Sequence, residues 1–424
     1  MSLRKIQFCL LISFLLYSSL AAGQAARSPF SSFGVGEQFS TALTQNMGMG
    51  GTGISNHTYW YVNNMNPSLL VYNRLTTFQA GIIGEQRTQN SSTGSENSGS
   101  GNLNYLALAI PIKLNKWTTS LTLMPYTRNN FLLKYSAPIN NDPNNFVNVT
   151  EQGSGGVNQV TWSNGVSVND NFRVGLKSAY LFGAVINEFT NVITNFPIAV
   201  APSVYERSSV SGFQFSPAAS YHIDSLFNNK YRLNFGAVYD FGTTLNTTFF
   251  QRLDRLNSSG QIIDSAALIP NKPGKITLPQ SVAFGVSISR ASKWTASLDG
   301  FYSDYSSYRA LDGTNPYSGS NWRVGAGFEL IPDGASLSSY LKRATYRTGV
   351  SYENYPYLVN GNGVKDFGIT FGLSLPVGRY SSLDVALKVG KKGDKALNNI
   401  EENYLKLYFG ITFMDQWFIK RRFD

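Results

Sequence analysis

Histidine and cysteine are almost absent from this chain of 424 residues, which contains two His and one Cys. Zinc sites, iron–sulfur clusters and thiol nucleophiles each require clusters of these residues. The sequence therefore argues against metal and redox chemistry, and we expect no cofactor. Charged residues make up only 14% of the chain, below the roughly 25% of a typical soluble protein. This scarcity argues against a helical, charge-coated cytosolic enzyme.

Long apolar runs are also scarce, and the mean hydropathy is −0.15. The exception is Ile6–Leu20, which follows Arg4 and Lys5 and precedes the small residues 21–23. This arrangement predicts a secretory signal peptide over residues 1–24. The alternative, a transmembrane helix, needs about 20 apolar residues, and this run is too short. Because Cys9 lies within the signal, we expect a mature chain without disulfides.

The charge balance is basic, with 35 Lys and Arg against 25 Asp and Glu. Removal of the signal leaves a net charge of about +8, spread along the chain. In an exported protein this balance favours contact with outer-membrane lipid and lipopolysaccharide, and we expect no nucleic-acid partner.

Strict alternation of apolar and small or polar residues recurs along the rest of the chain. In Phe367–Leu375, apolar side chains at every odd position alternate with Gly368, Thr370, Gly372 and Ser374. A period of two is the signature of a β-strand, and runs of 9 to 11 residues match a tilted strand that crosses a bilayer. The sequence therefore predicts an all-β fold, a 14-stranded antiparallel transmembrane β-barrel over residues 75–424. The fourteen predicted strands cover 75–85, 102–112, 117–127, 157–168, 171–184, 210–222, 231–250, 278–289, 293–307, 322–331, 345–353, 364–376, 381–390 and 404–414.

The connections between these runs alternate in length, which decides between a barrel and a soluble sandwich. Short connections are predicted at 113–116, 169–170, 223–230, 290–292 and 377–380, and long ones at 86–101, 128–156, 185–209, 251–277, 308–321 and 391–403. The connection 332–344 falls at the position of a short connection but is longer than the short connections. Outer-membrane barrels have short periplasmic turns, long outer loops and an even strand count. We therefore expect the outer membrane of a Gram-negative bacterium, with both termini periplasmic; a soluble all-β fold is the alternative.

Tryptophans stand near the ends of the alternating runs, at Trp117, Trp162, Trp294, Trp322 and Trp417. Aromatic rings at these positions suit the head-group belts of a membrane protein. Ordinary strand propensity explains any single tryptophan equally well.

Residues 25–74 do not alternate and are predicted to form an N-terminal plug, here called the hatch. The candidate hatch residues are Gly48, Gly50, Gly51, Gly53, Asn66 and Pro67. A barrel of fourteen strands would otherwise leave an open lumen. The glycines also spell G-x-G-x-x-G, but the run follows no strand and no acidic residue stands between positions 54 and 84, so we reject a dinucleotide site.

The run Asn46–Ile54, the following Asn66-Pro67-Ser68 and the run Gly153–Asn158 resemble the FadL-type family of outer-membrane fatty-acid and hydrocarbon channels. Ser68 stands where that family usually has Ala. The resemblance implies a fourteen-stranded barrel with an N-terminal hatch, an apolar ligand in the lumen and lateral release into the bilayer through a kink in strand three. Pro125 lies in that strand and is the candidate lateral gate, because proline lacks the N–H that a ladder needs. The alternative is that Pro125 only ends the strand at its loop.

Two functions remain open at this stage. The first is a passive channel for hydrophobic small molecules, although the inward-facing residues Gly, Ser, Thr, Asp and Lys predict a polar or filled interior. The second is an accessory or shuttle subunit of an outer-membrane protein secretion or assembly complex, since FadL-like barrels are also similar to type nine secretion barrels. Loops rich in Asn, Ser and Tyr, such as Tyr302–Tyr317, suit protein contacts and solvent exposure equally well.

Catalysis is not expected. The only candidate bases are His57 and His222, no G-x-S-x-G motif is present, and the pair Glu401-Glu402 is predicted to be solvated loop charge. Lys391, Lys392 and Lys395 are likewise predicted to be solvated, with lipopolysaccharide as a secondary contact.

Overall fold

A computed structural model describes residues 26–92, 94–139, 142–193, 200–225, 230–378 and 380–417. The predicted signal peptide and Cys9 lie outside the described residues. Within them, no helix is both long and apolar enough to cross a membrane.

The strands of the barrel wall form one closed antiparallel sheet, because each wall strand pairs with its neighbour in sequence and the last pairs with the first. The fourteen wall strands are β1 Thr76–Ser91, β2 Ser95–Lys113, β3 Trp117–Arg128 with Phe131–Ile139, β4 Asp142–Ser167, β5 Phe172–Ile193, β6 Val200–Ser225, β7 Tyr231–Asp240 with Thr243–Asn257, β8 Ile262–Leu278 with Ser281–Arg290, β9 Trp294–Asp304, β10 Ser320–Leu330, β11 Thr345–Val359, β12 Asn362–Pro376, β13 Ser381–Asp394 and β14 Ile400–Asp415. The predicted fourteen-stranded barrel is confirmed, and each predicted strand corresponds to one wall strand.

Three wall strands, β3, β7 and β8, are each interrupted by a two-residue break. Both segments of β3 pair with the uninterrupted strand β4, so the break at residues 129–130 leaves the strand order unchanged. The first residue of β1 pairs with the last of β14, Thr76 with Asp415. Both ends of the wall therefore meet at the end that carries turns such as 114–116 and 291–293, here called the short-turn end.

The prediction of long loops is mostly wrong, because the strands continue through most of these segments. Residues 86–90 pair with residues 95–99 at the ends of β1 and β2, and β4 and β5 stay in register out to Val147 and Ile193. A ladder uses backbone groups alone, so Ser, Asn and Gly extend it where the apolar pattern stops. The connection 332–344 contains a short helix, Tyr340–Arg343. Part of the predicted turn 223–230, residues 226–229, lies outside the described residues.

The alternating pattern places the apolar face outside, as predicted. Phe371 and Leu407 are about half exposed, at 54% and 46%, whereas the inward-facing Thr370 is 1% exposed. Trp117, Trp162, Trp322 and Trp417 also project from the outer surface. Trp294 contacts the rings of Tyr231 and Phe328 at centroid distances of 5.8 and 6.1 Å. The outer surface is therefore an apolar band with aromatic rings near its edges, as in outer-membrane barrels.

The predicted hatch, described from Ala26 onward, contains little regular structure. Its elements are the 3₁₀ helix Pro29–Ser32, the strand Glu37–Gln38, the helical turn Thr44–Met47 and the 3₁₀ helix Pro67–Tyr72. Every residue from 42 to 56 and from 61 to 71 is buried. The buried side chains pack against inward-facing residues of the wall, including Ile83, Ala386 and Tyr408.

Candidate functional site

The glycine run of the hatch binds the inner wall through its backbone. The hydroxyl of Thr370 on β12 donates to the carbonyl of Gly48 at 3.1 Å and accepts from the N–H of Gly50 at 2.8 Å. Asp299 on β9 accepts from the N–H groups of Gly53 and Ile54 at 2.6 and 2.9 Å. These bonds require backbone close to the wall, which explains the glycines.

Two neighbouring glycines with positive φ have different surroundings. Gly50 has a φ of 70°, and a Cβ there would lie 2.6 Å from the carbonyl oxygen of Val350. Gly51 has a φ of 74°, but a Cβ there would have open space around it. Gly50 is therefore fixed by close packing, whereas Gly51 is required only by its backbone conformation.

Asn66 and Pro67 start the 3₁₀ helix that ends the hatch. The Asn66 side chain accepts from the Ser68 N–H at 3.0 Å and donates to the carbonyl of Ile54 at 2.7 Å. The Ser68 hydroxyl also donates to Asn66, at 2.7 Å. The serine that departs from the FadL-type pattern therefore adds a hydrogen bond to the helix cap.

Glycines of the wall complete this interface from the other side. A Cβ on Gly165 would overlap the carbonyl oxygen of Pro67, one on Gly236 that of Ile54, and one on Gly349 the N–H of Gly50. The small inward-facing residues of the alternating strands thus admit the hatch backbone, and they account for a filled interior.

Farther from the short-turn end, the hatch joins a buried cluster of alternating charges. The carboxylate of Glu37 lies 3.0 Å from Arg87 and 3.1 Å from Lys392, and Arg87 also contacts Glu85 and Glu402 at 3.3 and 3.2 Å. We call these five residues the ionic cluster. Burial opposes ionisation of Glu37, but the facing charges of Arg87 and Lys392 outweigh it and hold the pKa of this carboxyl well below its ordinary value. The cluster ties the hatch to strands β1, β13 and β14.

The prediction that Lys392 and Glu402 are solvated is therefore wrong, since both are almost fully buried. Lys391 and Glu401 do face outward and pair with each other at 2.7 Å. The signal was available in the sequence. In β14, Tyr404 faces the interior, so the alternation also places Glu402, two residues earlier in the strand, inside. The even-numbered residues of β13 face the interior as well, which places Lys392 inside.

Pro125 lies where strand β3 changes its partner. The pairing of β2 with β3 extends no farther than Leu106 with Leu123, and Tyr126 forms a bulge beside Pro125 against β4. Beyond that point the free edge of β3 pairs with the hatch strand, Gln38 with Thr127 and Glu37 with Arg128. In the described wall, the gap between β2 and β3 is therefore covered from inside by the hatch.

The space left between hatch and wall is small and charged. A cavity of about 160 Å³ separates them, and its lining includes nine charged side chains. These are Glu37, Arg87, Lys177, Asp240, Arg323, Glu353, Asp366, Lys388 and Lys406. Such a lining suits water and ions better than an apolar solute.

The segment 305–317 covers the interior at the end opposite the short turns. Tyr308 is buried, and its ring contacts Tyr317 edge-on at 4.7 Å. Tyr317 in turn lies over the hatch, with its hydroxyl donating to the carbonyl of Phe33 at 3.4 Å. The tyrosines of this loop therefore pack inward, and the expectation that they are displayed to solvent or to partners is wrong for Tyr308 and Tyr317.

The two histidines lie together at the short-turn end. His222 Nδ1 is 2.9 Å from Arg173 and 3.3 Å from the hydroxyl of Tyr72, and His57 Nε2 is 3.3 Å from Arg232. Their ring nitrogens face two arginines, a tyrosine and Asp224, whose carboxylate lies 3.2 Å from His222 Nε2 and is also paired with Arg232. Burial raises the pKa of Tyr72. This is the environment of a structural cluster. It does not present an activated nucleophile.

A family model described as BamG matches residues 3–424. The chain belongs to the BamG family. No curated protein sequence matches this BamG-family chain.

Solved structures share the fold of the BamG-family barrel at low sequence identity. The toluene transporter TodX of Pseudomonas putida matches with a TM-score of 0.58 and 13% identity, covering 90% of this chain and 98% of its own. The toluene transporter TbuX of Ralstonia pickettii gives 0.55 and 13%, covering 88% and 98%. A FadL homologue of Pseudomonas aeruginosa gives 0.57 and 12%, covering 90% and 100%. The expected FadL-like fold is confirmed, whereas the similarity to type nine secretion barrels stays a prediction.

Proposed function

We propose that this protein is an outer-membrane barrel closed by its hatch, and that it acts as an accessory subunit of an outer-membrane protein assembly or secretion complex. The short-turn end faces the periplasm, and the apolar outer band contacts lipid and lipopolysaccharide. Residues 1–24 direct export.

One observation carries this proposal, namely the charged and nearly filled interior. An apolar solute passing the cavity between hatch and wall would displace water from groups such as Arg87, Asp366 and Lys406 without replacing its hydrogen bonds. The hatch is also held by Thr370 and Asp299 and by the ion pairs of Glu37. An accessory subunit binds its partners through the outer surfaces of the barrel, and such binding does not require any of these contacts to break.

A second candidate is favoured by the gap beside Pro125. It is a passive channel for hydrophobic compounds, in which the ligand leaves between β2 and β3 into the bilayer. Among the described residues, the element that pairs with the free edge of β3 there is the two-residue hatch strand. The N–H of Phe39 donates to the carbonyl of Tyr126 at 2.9 Å and extends this contact. Movement of the hatch strand would open the gap without unfolding the wall.

Native mass spectrometry of the protein, gently extracted from its own membrane, separates the two functions. The first predicts a complex of fixed stoichiometry with other envelope proteins. A lone barrel that retains a lipid or a hydrocarbon would contradict it and support the channel.

A transport assay tests the channel directly. The variant Phe39→Pro removes the N–H that bonds to Tyr126, so a channel gated at Pro125 would admit toluene into proteoliposomes faster than the wild type does. The exposed variant Lys272→Glu serves as a matched control. Equal uptake by all three proteins and by protein-free liposomes would exclude the channel.

A further inference from the structure

The short-turn end carries a broad basic cavity that the proposed function leaves unassigned. Its volume is about 810 Å³, and it lies between hatch residues 57–60 and the turns of the wall. Six basic side chains line it, Arg74, Arg173, Lys230, Arg232, Arg290 and Lys293. We call this cavity the basic cup.

The acidic residues of the cup do not neutralise it. It has three acidic residues against six basic ones. They are Asp170, Glu329, which is engaged by Arg347 at 2.7 Å, and Asp224, which is held by Arg232 and His222. Within the described residues, Arg74, Lys230 and Arg290 have no carboxylate within salt-bridge distance, and Arg74 and Arg290 are exposed. The cup therefore presents surplus positive charge to the solvent.

The rest of the cup is held in place by a fixed network. The guanidinium of Arg173 lies 4.4 Å from the centre of the Tyr72 ring and donates to the carbonyl of Asp170 at 2.9 Å. The ring of His57 contacts that of Tyr72 at 4.7 Å. Because these side chains are already held by one another, binding an anionic partner would cost little of their conformational entropy.

Two exposed aromatic side chains stand beside this charge. Tyr59 and Trp60 are 40% and 52% exposed, and their rings lie 5.3 Å apart. Both belong to the hatch and not to the lipid-facing wall, so the aromatic belt does not explain them. Tryptophan and tyrosine next to arginine are the residues that most often anchor protein partners.

We propose that the basic cup is a docking surface for an acidic segment of a periplasmic protein. Trp60 is the apolar anchor of this surface, and Arg74 and Arg290 bind the carboxylates of the partner. The charge surplus and the aromatic pair favour this partner over a small anion, which would use the charge but not the rings. The proposal rests on the proposed orientation of the barrel and names a partner class for the proposed complex.

Fluorescence anisotropy on the full-length protein in detergent tests the cup. The probe is a labelled twelve-residue peptide of Asp and Glu with one central Phe, compared with the same peptide carrying Lys in place of every acid. We expect the acidic peptide to bind and the Lys peptide not to bind. Raising the salt concentration from 50 to 300 mM should weaken binding several-fold, about as expected for screened surface charge.

Substitutions locate the site. The double variant Arg74→Glu with Arg290→Glu should lose at least about tenfold in affinity, and Trp60→Ala should lose several-fold. The matched control, Lys272→Glu with Lys275→Glu, reverses two exposed charges near the opposite end of the barrel and should bind as the wild type does. Equal binding by both double variants, or binding of the Lys peptide, would overturn the proposal. Binding of phosphatidylglycerol vesicles in place of the acidic peptide would overturn it as well.

The same variants distinguish this inference from the proposed function. If native extraction yields a complex but the acidic peptide does not bind, the docking surface is refuted and the accessory function stands. If the wild type is always extracted alone while the acidic peptide binds at the cup, the accessory function fails and the docking surface stands.

Discussion

The carboxylate of Glu37 in the hatch lies 3.0 Å from the guanidinium of Arg87 in strand β1, in an almost fully buried setting. The same carboxylate holds Lys392 of β13 at 3.1 Å. One hatch residue thus bridges the two sides of the barrel seam, where β14 closes onto β1. Since Glu37 also pairs with Arg128 through its backbone, it connects the cover of the β2–β3 gap to the seam.

Replacement of Glu37 by Gln should release residues 35–40 of the hatch from the wall. The change leaves Lys392 buried without its acidic partner, and breaking one side of a buried ion pair costs roughly 3–5 kcal/mol. We expect faster hydrogen exchange in residues 35–40 and larger single-channel conductance in planar bilayers. Glu401→Gln is the control, because the exposed pair of Glu401 with Lys391 is worth about 1 kcal/mol or less. Equal exchange rates in the two variants would show that the ionic cluster does not hold the hatch.

Gly50 and Gly51 provide a matched pair for the glycine run. Alanine at either position accepts a positive φ, at a cost of roughly 1–2 kcal/mol. Only at Gly50 does the added Cβ also meet wall backbone, 2.6 Å from the carbonyl oxygen of Val350. Gly50→Ala should therefore lower the melting temperature and the exchange protection of residues 44–56 clearly more than Gly51→Ala does. Similar losses in both variants would mean that backbone strain, and not contact with the wall, explains the glycines.

The architecture was predictable from the sequence because its cause is a local pattern. The alternation in Phe367–Leu375 reflects two environments, lipid outside and hatch inside, and each strand records them independently. Strand ends were less predictable, because beyond the membrane the alternation loses its apolar half while the backbone ladder continues through residues such as Gln89.

The candidate site was predictable only in part. The glycine run and Asn66-Pro67 stand out as a motif, and all six of the selected hatch residues lie in the interface with the wall or in its turns. The alternation was enough to predict that Lys392 and Glu402 are buried, but not the pairing in the ionic cluster, because Glu37, Arg87 and Lys392 are far apart in sequence and come together only when the barrel closes. The cover of the gap beside Pro125 was missed as well, because a two-residue strand has no periodicity to detect.

Deletion of residues 28–70 should leave a folded barrel that is permeable. The wall closes through its own ladders, including β14 with β1, so its folding does not require the hatch, although β3 loses the partner of its free edge. We expect heat-modifiable migration in gels, as for the intact barrel, together with a several-fold larger conductance in planar bilayers. A folded deletion variant with unchanged conductance would exclude the role of the hatch as a plug.

Acid should loosen the short-turn end of the hatch through His57. Burial, followed by the charge of Arg232, lowers the pKa of His57 from 6.5 to about 3. Above pH 6.5 the ring is neutral whether or not the hatch is docked, so it does not alter stability there. As the pH falls below 6.5, only the undocked hatch gains a proton, and the docked state loses on the order of 1–2 kcal/mol by pH 5.

Hydrogen exchange in residues 54–62 should therefore quicken between pH 7.5 and pH 5, after correction for intrinsic rates. The non-titrating variant His57→Gln should reduce this dependence. Glu37 adds no slope in this window, because its folded pKa is lowered and its contribution declines only at more acidic pH. An undiminished pH dependence in His57→Gln would assign the effect to another group.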